Sequence, residues 1–201
     1  LTSGERPIPD AHYDPRVLDA WVNQKHREQV NSYRSPSERP KVSREAFIAS
    51  NLQLAPLILI DGAWLQGITC PSIINTTVGK LLFKVFFEEV GEGHQEHHHA
   101  NVYRALLKEM DLNLPTVDSL QFAELDILKD ASFEVPVLWL SLSCFPRHFM
   151  PELLGLNLAV ELAGVGGPYL EAHDTLKQFG FSTRFVDIHN AADNLSCGHS
   201  A

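Results

Sequence analysis

Segments with helical periodicity follow one another along this 201-residue chain, and prolines and glycines separate them. Apolar residues recur at intervals of three and four, as on one face of an α-helix, whereas the alternation typical of β-strands is scarce. The stretch "SIINTTVGKLLFKVFFEEV", residues 72–90, contains β-branched residues that also suit a strand, but its length and the spacing of Leu81, Phe83 and Phe87 favour a helix. The sequence has neither an Asn-Gly hairpin signal nor an internal repeat. These patterns predict an all-α protein, a bundle of about seven or more helices.

Prolines and glycines also predict how the chain is organised. Residues 1–41 are predicted to form a Pro-rich N-terminal arm with one helix, and residues 42–201 have the length of one globular domain with a full hydrophobic core. Pro56 is expected to kink or interrupt the second helix. Pro151 and Gly180 suit the start and the end of two later helices.

Charge and cysteine content argue against several classes of protein. The formal net charge of −9 disfavours binding to nucleic acid or to an anionic membrane surface, because both need clustered Lys and Arg. No apolar run approaches the ~20 residues that cross a bilayer, and no signal-peptide layout is present. The three cysteines form neither a disulfide framework nor a CxxC zinc motif. We therefore expect a cytoplasmic protein without a nucleic-acid or membrane partner.

One carboxylate stands in an otherwise apolar segment. Glu161 is the only charged residue between Glu152 and Glu171. A helix that is apolar on nearly every face is expected to be buried, and Leu154, Leu158 and Glu161 fall on one stripe by the helical period. Because a buried carboxylate is costly without a partner, Glu161 is predicted to be either a member of a buried ion pair with an Arg or Lys or a metal ligand.

A histidine-rich segment precedes the middle of the chain. His99 shares the apolar stripe of its predicted helix with Tyr103, Leu106 and Met110. A histidine on such a face can be a hydrogen-bonded core residue or a ligand, and the spacing alone does not decide between them. The neighbouring histidines at positions 94, 97 and 98 are predicted to be solvated. Glycines break the helical register here, so spacing cannot choose among four nearby carboxylates: Glu88, Glu89, Glu92 and Glu96.

The stretch "HNAADNLSCGHS", residues 189–200, is a second polar cluster. His189 and Asp193 are four residues apart and would project from one helix face together with Phe185. His199 joins that face only if the backbone unwinds near the preceding glycine. The alternative interpretation is a frayed polar end of the chain.

These histidines and carboxylates form a mixed nitrogen and oxygen ligand set. Such a set suits Fe(II) or Mn(II), whereas a set rich in thiolates would indicate structural zinc. Helical bundles build di-iron sites from side chains that project inward from facing helices. The combination therefore predicts a metal centre inside the helical domain.

Three stretches, "EEVGEGHQEHHHANVYRALLKEM", "PELLGLNLAVELAGVGG" and "DIHNAADNLSCGHSA", together resemble the haem-oxygenase-like diiron oxidases and oxygenases, also described as iron-containing redox enzymes. The resemblance spans approximately residues 45–201 and does not cover the arm. It implies the helical fold of haem oxygenase without haem, and six metal ligands: Glu89, His99, Glu161, His189, Asp193 and His199. His199 departs from the family pattern, because it lies six residues after Asp193 where three are common. Three further residues are candidates for an extra ligand or a substrate contact: Asp61, Trp64 and Glu92.

The resemblance also implies a reaction. Two Fe(II) ions per chain would activate O2, the co-substrate, to oxidise a small amino-acid-like or amine substrate by N-oxygenation, desaturation or oxidative C–C cleavage, in natural-product biosynthesis. The side chains of Phe86, Phe87, Trp64 and Trp139 are candidates for the apolar walls of the site. Family analogy implies a homodimer. Two other classes of protein remain alternatives: a cofactor-free or haem-type oxidase on the same fold, and a non-catalytic helical metal-binding protein.

Overall fold

The computed structural model describes residues 14–163 and 166–192, and these residues form ten α-helices, two short 3-10 helices and no strand. The α-helices are α1 (Pro15–Asn31), α2 (Arg44–Ile58), α3 (Pro71–Ile74), α4 (Thr77–Glu89), α5 (His99–Glu109), α6 (Leu120–Ala123), α7 (Ala131–Ser143), α8 (Met150–Ala163), α9 (Gly167–Phe179) and α10 (Arg184–Ala192). The 3-10 helices are Ala63–Thr69 and Gly91–Gly93. The all-α prediction is confirmed.

Local sequence signals explain where several helices begin and end. The Ser43 hydroxyl accepts the backbone N–H of Ala46 at 3.1 Å and so caps α2. Pro151 is the second residue of α8, and Gly180, with a φ of 74°, ends α9. Pro56 lies inside α2, and the helix continues beyond it for two residues.

The stretch predicted as a third helix forms two helices, α3 and α4. Thr76 separates them: its hydroxyl donates to the carbonyl of Ile73 at 2.7 Å and accepts the N–H of Gly79 at 3.0 Å. A single side chain therefore satisfies the end of one helix and the start of the next. Gly79 allows this close approach, because a Cβ there would lie 2.0 Å from the carbonyl oxygen of Ile73.

Two clusters of buried apolar side chains hold the helices together. The first joins α2, α5, α6, α9 and α10, and its larger members are Tyr103, Leu106, Leu107, Phe122, Leu176 and Phe185. The second joins the 3-10 helix Ala63–Thr69 to α3, α4 and α7 through Trp64, Leu65, Ile68, Ile73, Leu82 and Trp139. Each of these side chains contributes about 1.5–3 kcal/mol when it is removed from water. The chain passes from the first cluster to the second at the end of α2.

The described part of the arm, residues 14–41, packs against the domain. Helix α1 contacts α8 and α9. After it, Arg39 donates to the carbonyl of Glu171 at 2.7 Å and to the carboxylate of Asp174 at 3.0 Å. The Tyr33 hydroxyl donates to the same Asp174 carboxylate at 2.9 Å. Polar contacts with α9 therefore attach the arm to the helical domain.

The segment Arg44–Thr69 has 26 residues and is long and apolar enough to cross a membrane. In the fold, 28% of its most apolar stretch is buried. The prediction that no apolar run approaches this length is therefore wrong. Core helices of proteins that do not enter membranes meet the same criterion. In this structure a turn at residues 59–62 divides the segment, and it carries the Asp61 carboxylate between two histidines.

Candidate metal centre

Three side chains from distant parts of the chain converge in the interior. The Oδ2 atom of Asp61 lies 3.4 Å from Nδ1 of His99 and 3.4 Å from Nε2 of His189. The ligand atoms of the three residues all lie within 4.8 Å of one another. Among the residues described by the structure, these three are the His, Cys, Asp or Glu side chains that lie close enough together to bind one metal ion jointly. One carboxylate and two imidazoles are a mixed oxygen and nitrogen ligand set.

A second carboxylate adjoins this group. The Oε2 atom of Glu89 lies 2.7 Å from Nδ1 of His99, and both residues are only 3% exposed. Nδ1 of His99 therefore faces the carboxylates of both Glu89 and Asp61. Sequence spacing left four carboxylates open at this position, and the fold brings Glu89, the last residue of α4, to the first residue of α5.

Two glycines allow the backbone segments at the site to approach each other. Gly62 follows Asp61 with a φ of 81°, and a Cβ there would lie 2.8 Å from the Cβ of Glu89. Gly91 has a φ of 79°, and a Cβ there would lie 2.4 Å from the backbone nitrogen of His98. Both contacts are closer than side chains permit, and both φ values favour glycine. The two glycines therefore set the distances between the site-bearing segments.

Helix α10 orients the imidazole of His189. Its Nδ1 donates to the carbonyl of Phe185 at 2.8 Å, since a carbonyl oxygen can only accept. This bond leaves Nε2 available towards Asp61, and a second hydrogen bond of this kind fixes the tautomer and ring plane of metal-ligating histidines. The rings of Phe185 and Tyr169 pack against the imidazole, with centroid distances of 4.4 and 5.2 Å.

The charges at the site depend on one another. Burial lowers the pKa of His99, but hydrogen bonds and charge interactions with Asp61 and Glu89 outweigh it and raise the pKa to about 10. Burial raises the pKa of Asp61, but hydrogen bonds and charge interactions with His189 and His99 hold it well below its usual range. Without a metal, His99 is thus an imidazolium paired with carboxylates at neutral pH. A metal that binds Nδ1 of His99 must replace this proton.

A cavity of about 210 Å³ opens beside the site. Its polar lining consists of Asp61, Glu89, Glu161 and His189, and none of the described lining residues is Lys or Arg. Its apolar lining consists of Leu57, Ile58, Trp64, Trp139, Val160, Tyr169 and Phe185. These residues come from both core clusters, so the cavity lies where the two clusters meet.

The structure brings together most of the predicted site residues that it describes. Glu161 is 2% exposed and lines the same cavity as Glu89 and His189. Asp61 and Trp64, named only as further candidates, also line it. Glu92 does not join them, because it is an exposed residue of the turn Gly91–Gly93. Asp193 and His199 lie outside the described residues, so their predicted role as ligands stays a prediction.

The predicted stripe on α8 is displaced by one residue. Leu154 is 42% exposed, whereas Leu153, Asn157 and Glu161 form the buried stripe. Asn157 is a polar core residue that the sequence patterns did not indicate, and its Oδ1 accepts the indole N–H of Trp64 at 3.1 Å. An asparagine within a mostly apolar helix is the sequence feature from which a buried hydrogen-bond acceptor could have been predicted.

The other predicted walls and histidines divide between interior and surface. Trp139 lines the cavity, but Phe86 and Phe87 are not among its lining residues. The histidines at positions 94 and 97 are exposed as predicted, whereas His98 is partly buried. The prediction that all three are solvated is therefore wrong for His98, which packs next to the buried end of α5.

Buried carboxylates and imidazoles converge inside an all-α fold, and their oxygen and nitrogen atoms are a donor set that suits iron. A family model described as "iron-containing redox enzyme" matches residues 52–201, about three quarters of the chain. The chain therefore belongs to the iron-containing redox enzyme family and has its haem-oxygenase-like helical fold. Neither the curated proteins nor the solved structures give a significant match. The resemblance seen in the sequence is thus confirmed at the level of the family, and the protein is an oxidoreductase.

Proposed function

We propose that the protein is a non-haem diiron enzyme that uses O2 to oxidise a small amino-acid-like or amine substrate. The observation that carries this proposal is the convergence of Asp61, Glu89, His99 and His189 beside a small, mostly apolar cavity. Membership of an iron-containing family supports iron as the metal. The donor set also fits iron, since it consists of imidazole nitrogens and carboxylate oxygens without a thiolate.

Five described side chains would hold two Fe(II) ions: Asp61, Glu89, His99, Glu161 and His189. Asp193 and His199 would complete the set by the family resemblance. Bound iron would supply the reduction of O2 and the oxidising power. The protein's own contribution is to neutralise the charge of the metal with carboxylates, to orient His189 through Phe185, and to release the Nδ1 proton of His99 to solvent when the metal binds.

The cavity provides the second part of the function, which is to hold the substrate. Its apolar lining excludes water from the reacting atoms, which limits side reactions. No described Lys or Arg lines it, so no described side chain there would pair with a substrate carboxylate. This lining, together with the family resemblance, supports an amine, or the amino end of an amino-acid-like molecule, as the reacting group. N-oxygenation, desaturation and oxidative C–C cleavage are the proposed outcomes.

Anaerobic titration with Fe(II) tests the metal centre directly. We expect the full chain to bind about two Fe(II) ions and to consume O2 afterwards. Glu161→Ala and His189→Ala should each lower the iron content. His94→Ala, a change at an exposed histidine in the segment before His99, should not. Unchanged iron content in the first two variants would show that the assigned site is wrong.

The titration also separates the alternative classes. A non-catalytic storage protein would take up many irons per chain and form no product, and an enzyme without a metal would bind none. Incubating the reduced iron form with amines, amino acids and fatty acids under O2, followed by mass detection, identifies the substrate class. A cytoplasmic location stays a prediction from the charge and cysteine content, and a homodimeric state and a role in natural-product biosynthesis stay predictions from the resemblance.

A further inference from the structure

The outer side of α7 is an apolar surface that stays exposed in the described fold. Val137 and Leu138 are 59% and 51% exposed, and Phe145, just beyond the end of the helix, is 63% exposed. The helix packs against α2, α8 and the first 3-10 helix. Pro136 and Trp139, on its other side, are buried. One side of α7 therefore belongs to the core, and the opposite side is apolar without being covered.

This surface differs from the solvent side of an ordinary helix, which carries charged residues. No residue from 135 to 146 is charged. On α4, by contrast, the exposed Leu81 lies between charged neighbours, Lys80 and Lys84. An apolar surface without interspersed charges is typical of a site that binds another molecule.

Charged residues lie at the two ends of the surface and have opposite signs. Asp130 and Glu134 are exposed at the start of α7, whereas Arg147 and His148 are exposed in the turn that follows the helix. Ser141 lies midway between Glu134 and His148 along the chain. When two such helices lie antiparallel, the acidic end of each adjoins the basic end of the other. The pattern of charges is thus self-complementary, as a two-fold contact between identical chains requires.

The middle of the surface also suits a contact of this kind. Glu134, Val137, Leu138 and Ser141 share one side of the helix by their spacing. The hydroxyl of Ser141 donates to the carbonyl of Val137 at 2.6 Å, so it is already satisfied and can be removed from water. A small residue at the centre lets two helices approach closely, and Val137 then lies opposite Phe145 of the second copy.

We infer that the outer side of α7 is the surface through which two copies of this chain associate, with the two α7 helices antiparallel about a two-fold axis near Ser141. The acidic end of the surface and the net charge of −9 disfavour an anionic lipid surface as its occupant. This inference is independent of the metal centre and goes beyond the proposed function. It assigns a surface and a geometry to the association of two chains.

The size of the surface sets the expected strength of association. The exposed side chains from Glu134 to His148 offer on the order of 600 Å² per copy, or about 1,200 Å² for the pair, which is at the lower end of specific interfaces. We therefore expect a dimer that dissociates in the micromolar range. Sedimentation velocity of the full chain, from about 1 µM to about 1 mM, measures this equilibrium.

Leu138→Glu and Leu81→Glu are the matched variants, because each places a carboxylate at an exposed leucine of a helix. Leu138→Glu should weaken association at least a hundredfold, since each copy would bring an unpaired charge into the contact. Leu81→Glu should leave association unchanged. Circular dichroism and melting check that both variants fold. Equal effects of the two variants would overturn the inference.

Charge reversal tests the antiparallel arrangement with changes at exposed residues only. Glu134→Lys and Arg147→Glu should each weaken association roughly tenfold, because each copy contributes the same change to the contact. The double variant should recover most of the affinity, since opposite charges again meet at both ends. A double variant as weak as the single variants would contradict the antiparallel geometry.

Cross-linking tests the position of the two-fold axis. Ser141→Cys in a Cys144→Ser background should form a disulfide-linked dimer on mild oxidation, because a residue near the axis faces its own copy. Ser50→Cys in the same background, a change at an exposed serine of α2, should not. A chain that stays monomeric at about 1 mM, or a monomer that co-sediments with phosphatidylcholine vesicles, would overturn the inference.

Discussion

The Oδ2 atom of Asp61 lies 3.4 Å from Nε2 of His189, although 128 sequence positions separate the two residues. The same oxygen lies 3.4 Å from Nδ1 of His99. Asp61 is thus the carboxylate that both imidazoles share. It occupies the turn after α2, where the two core clusters meet.

Replacing Asp61 by Asn should weaken metal binding more than it weakens the fold. The change keeps the shape of the side chain but removes the negative charge that neutralises a divalent cation. Loss of such a group lowers metal affinity by about tenfold to a hundredfold or more. Competition with a chelator measures the affinity for Zn(II) or Fe(II). Asp126→Asn, a change at a carboxylate remote from the cavity lining, is the control, and equal affinities in the two variants would contradict a ligand role for Asp61.

Replacing Gly62 by Ala should destabilise the protein more than the same change at Gly93. Both glycines have φ values of about 80–90°, so Ala costs about 1 kcal/mol or more of backbone strain at either position. At Gly62 the new Cβ would also lie 2.8 Å from the Cβ of Glu89, whereas at Gly93 nothing lies within 4 Å. We expect a total loss of about 3 kcal/mol in the free energy of unfolding for Gly62→Ala, and a lowered metal content. Urea denaturation measures the first quantity, and equal losses in the two variants would contradict the close contact.

The stability of the metal-free protein should fall at alkaline pH. The folded pKa of His99 is raised to about 10, above the ordinary value of about 6.5. Its interaction with the carboxylates is therefore fully present below about pH 6.5 and is lost as the pH rises through about 10. Urea denaturation at several pH values should show this loss, and His99→Gln should reduce the slope. The lowered pKa of Asp61 works in the opposite direction, since its contribution is present above its ordinary pKa and is lost as the solution becomes more acidic.

Metal affinity should rise with pH over the same alkaline range. A metal that binds Nδ1 of His99 displaces the proton that the raised pKa retains. One displaced proton makes the affinity rise about tenfold per pH unit between about pH 7 and 9. Zn(II) competition titrations in chelator buffers measure this slope, after correction for the chelator's own protonation. An affinity that does not change with pH would show that His99 is not a ligand or is not protonated beforehand.

Replacing Arg39 by Ala should loosen the arm, whereas Arg34→Ala should have a smaller effect. The Arg39 side chain is 12% exposed and donates to both Glu171 and Asp174, so its removal takes one charged donor away from each of these partly buried acceptors. That costs about 1–3 kcal/mol. The Arg34 side chain is 59% exposed, and its surface ion pair with Glu171 contributes about 0–1 kcal/mol. Denaturation and protease cleavage within residues 14–41 are the measurements, and similar results for both variants would argue against Arg39 as the main attachment.

Helical periodicity predicted the parts of the site that lie on amphipathic helices. His99, Tyr103, Leu106 and Met110 form one buried face, as their spacing indicates. On α8 the same reasoning predicted that Glu161 is buried, but it placed Leu154 beside it in the core. Nearly every position of that helix is apolar, so no polar face marks which side of the helix points to solvent.

Residues in turns could not be placed in the same way. Asp61 lies outside any helix, and its approach to His99 depends on a left-handed backbone at Gly62 and on close packing against Glu89. The Asp-Gly pair after an apolar helix indicates a turn, but it does not indicate what the turn faces. Glu89 was one of four possible carboxylates for the same reason, because the turn at Gly91 interrupts the register that would have selected it.

The wide separation of Asp61 and His189 also matters while the protein is being made. A ribosome must add 128 residues after the aspartate before the second imidazole that faces it exists. During that interval the nascent helices carry an incomplete set of ligands, and ions captured early would be held by carboxylates alone or with one histidine. A metal ion held by all three side chains therefore requires a nascent chain that already extends to His189.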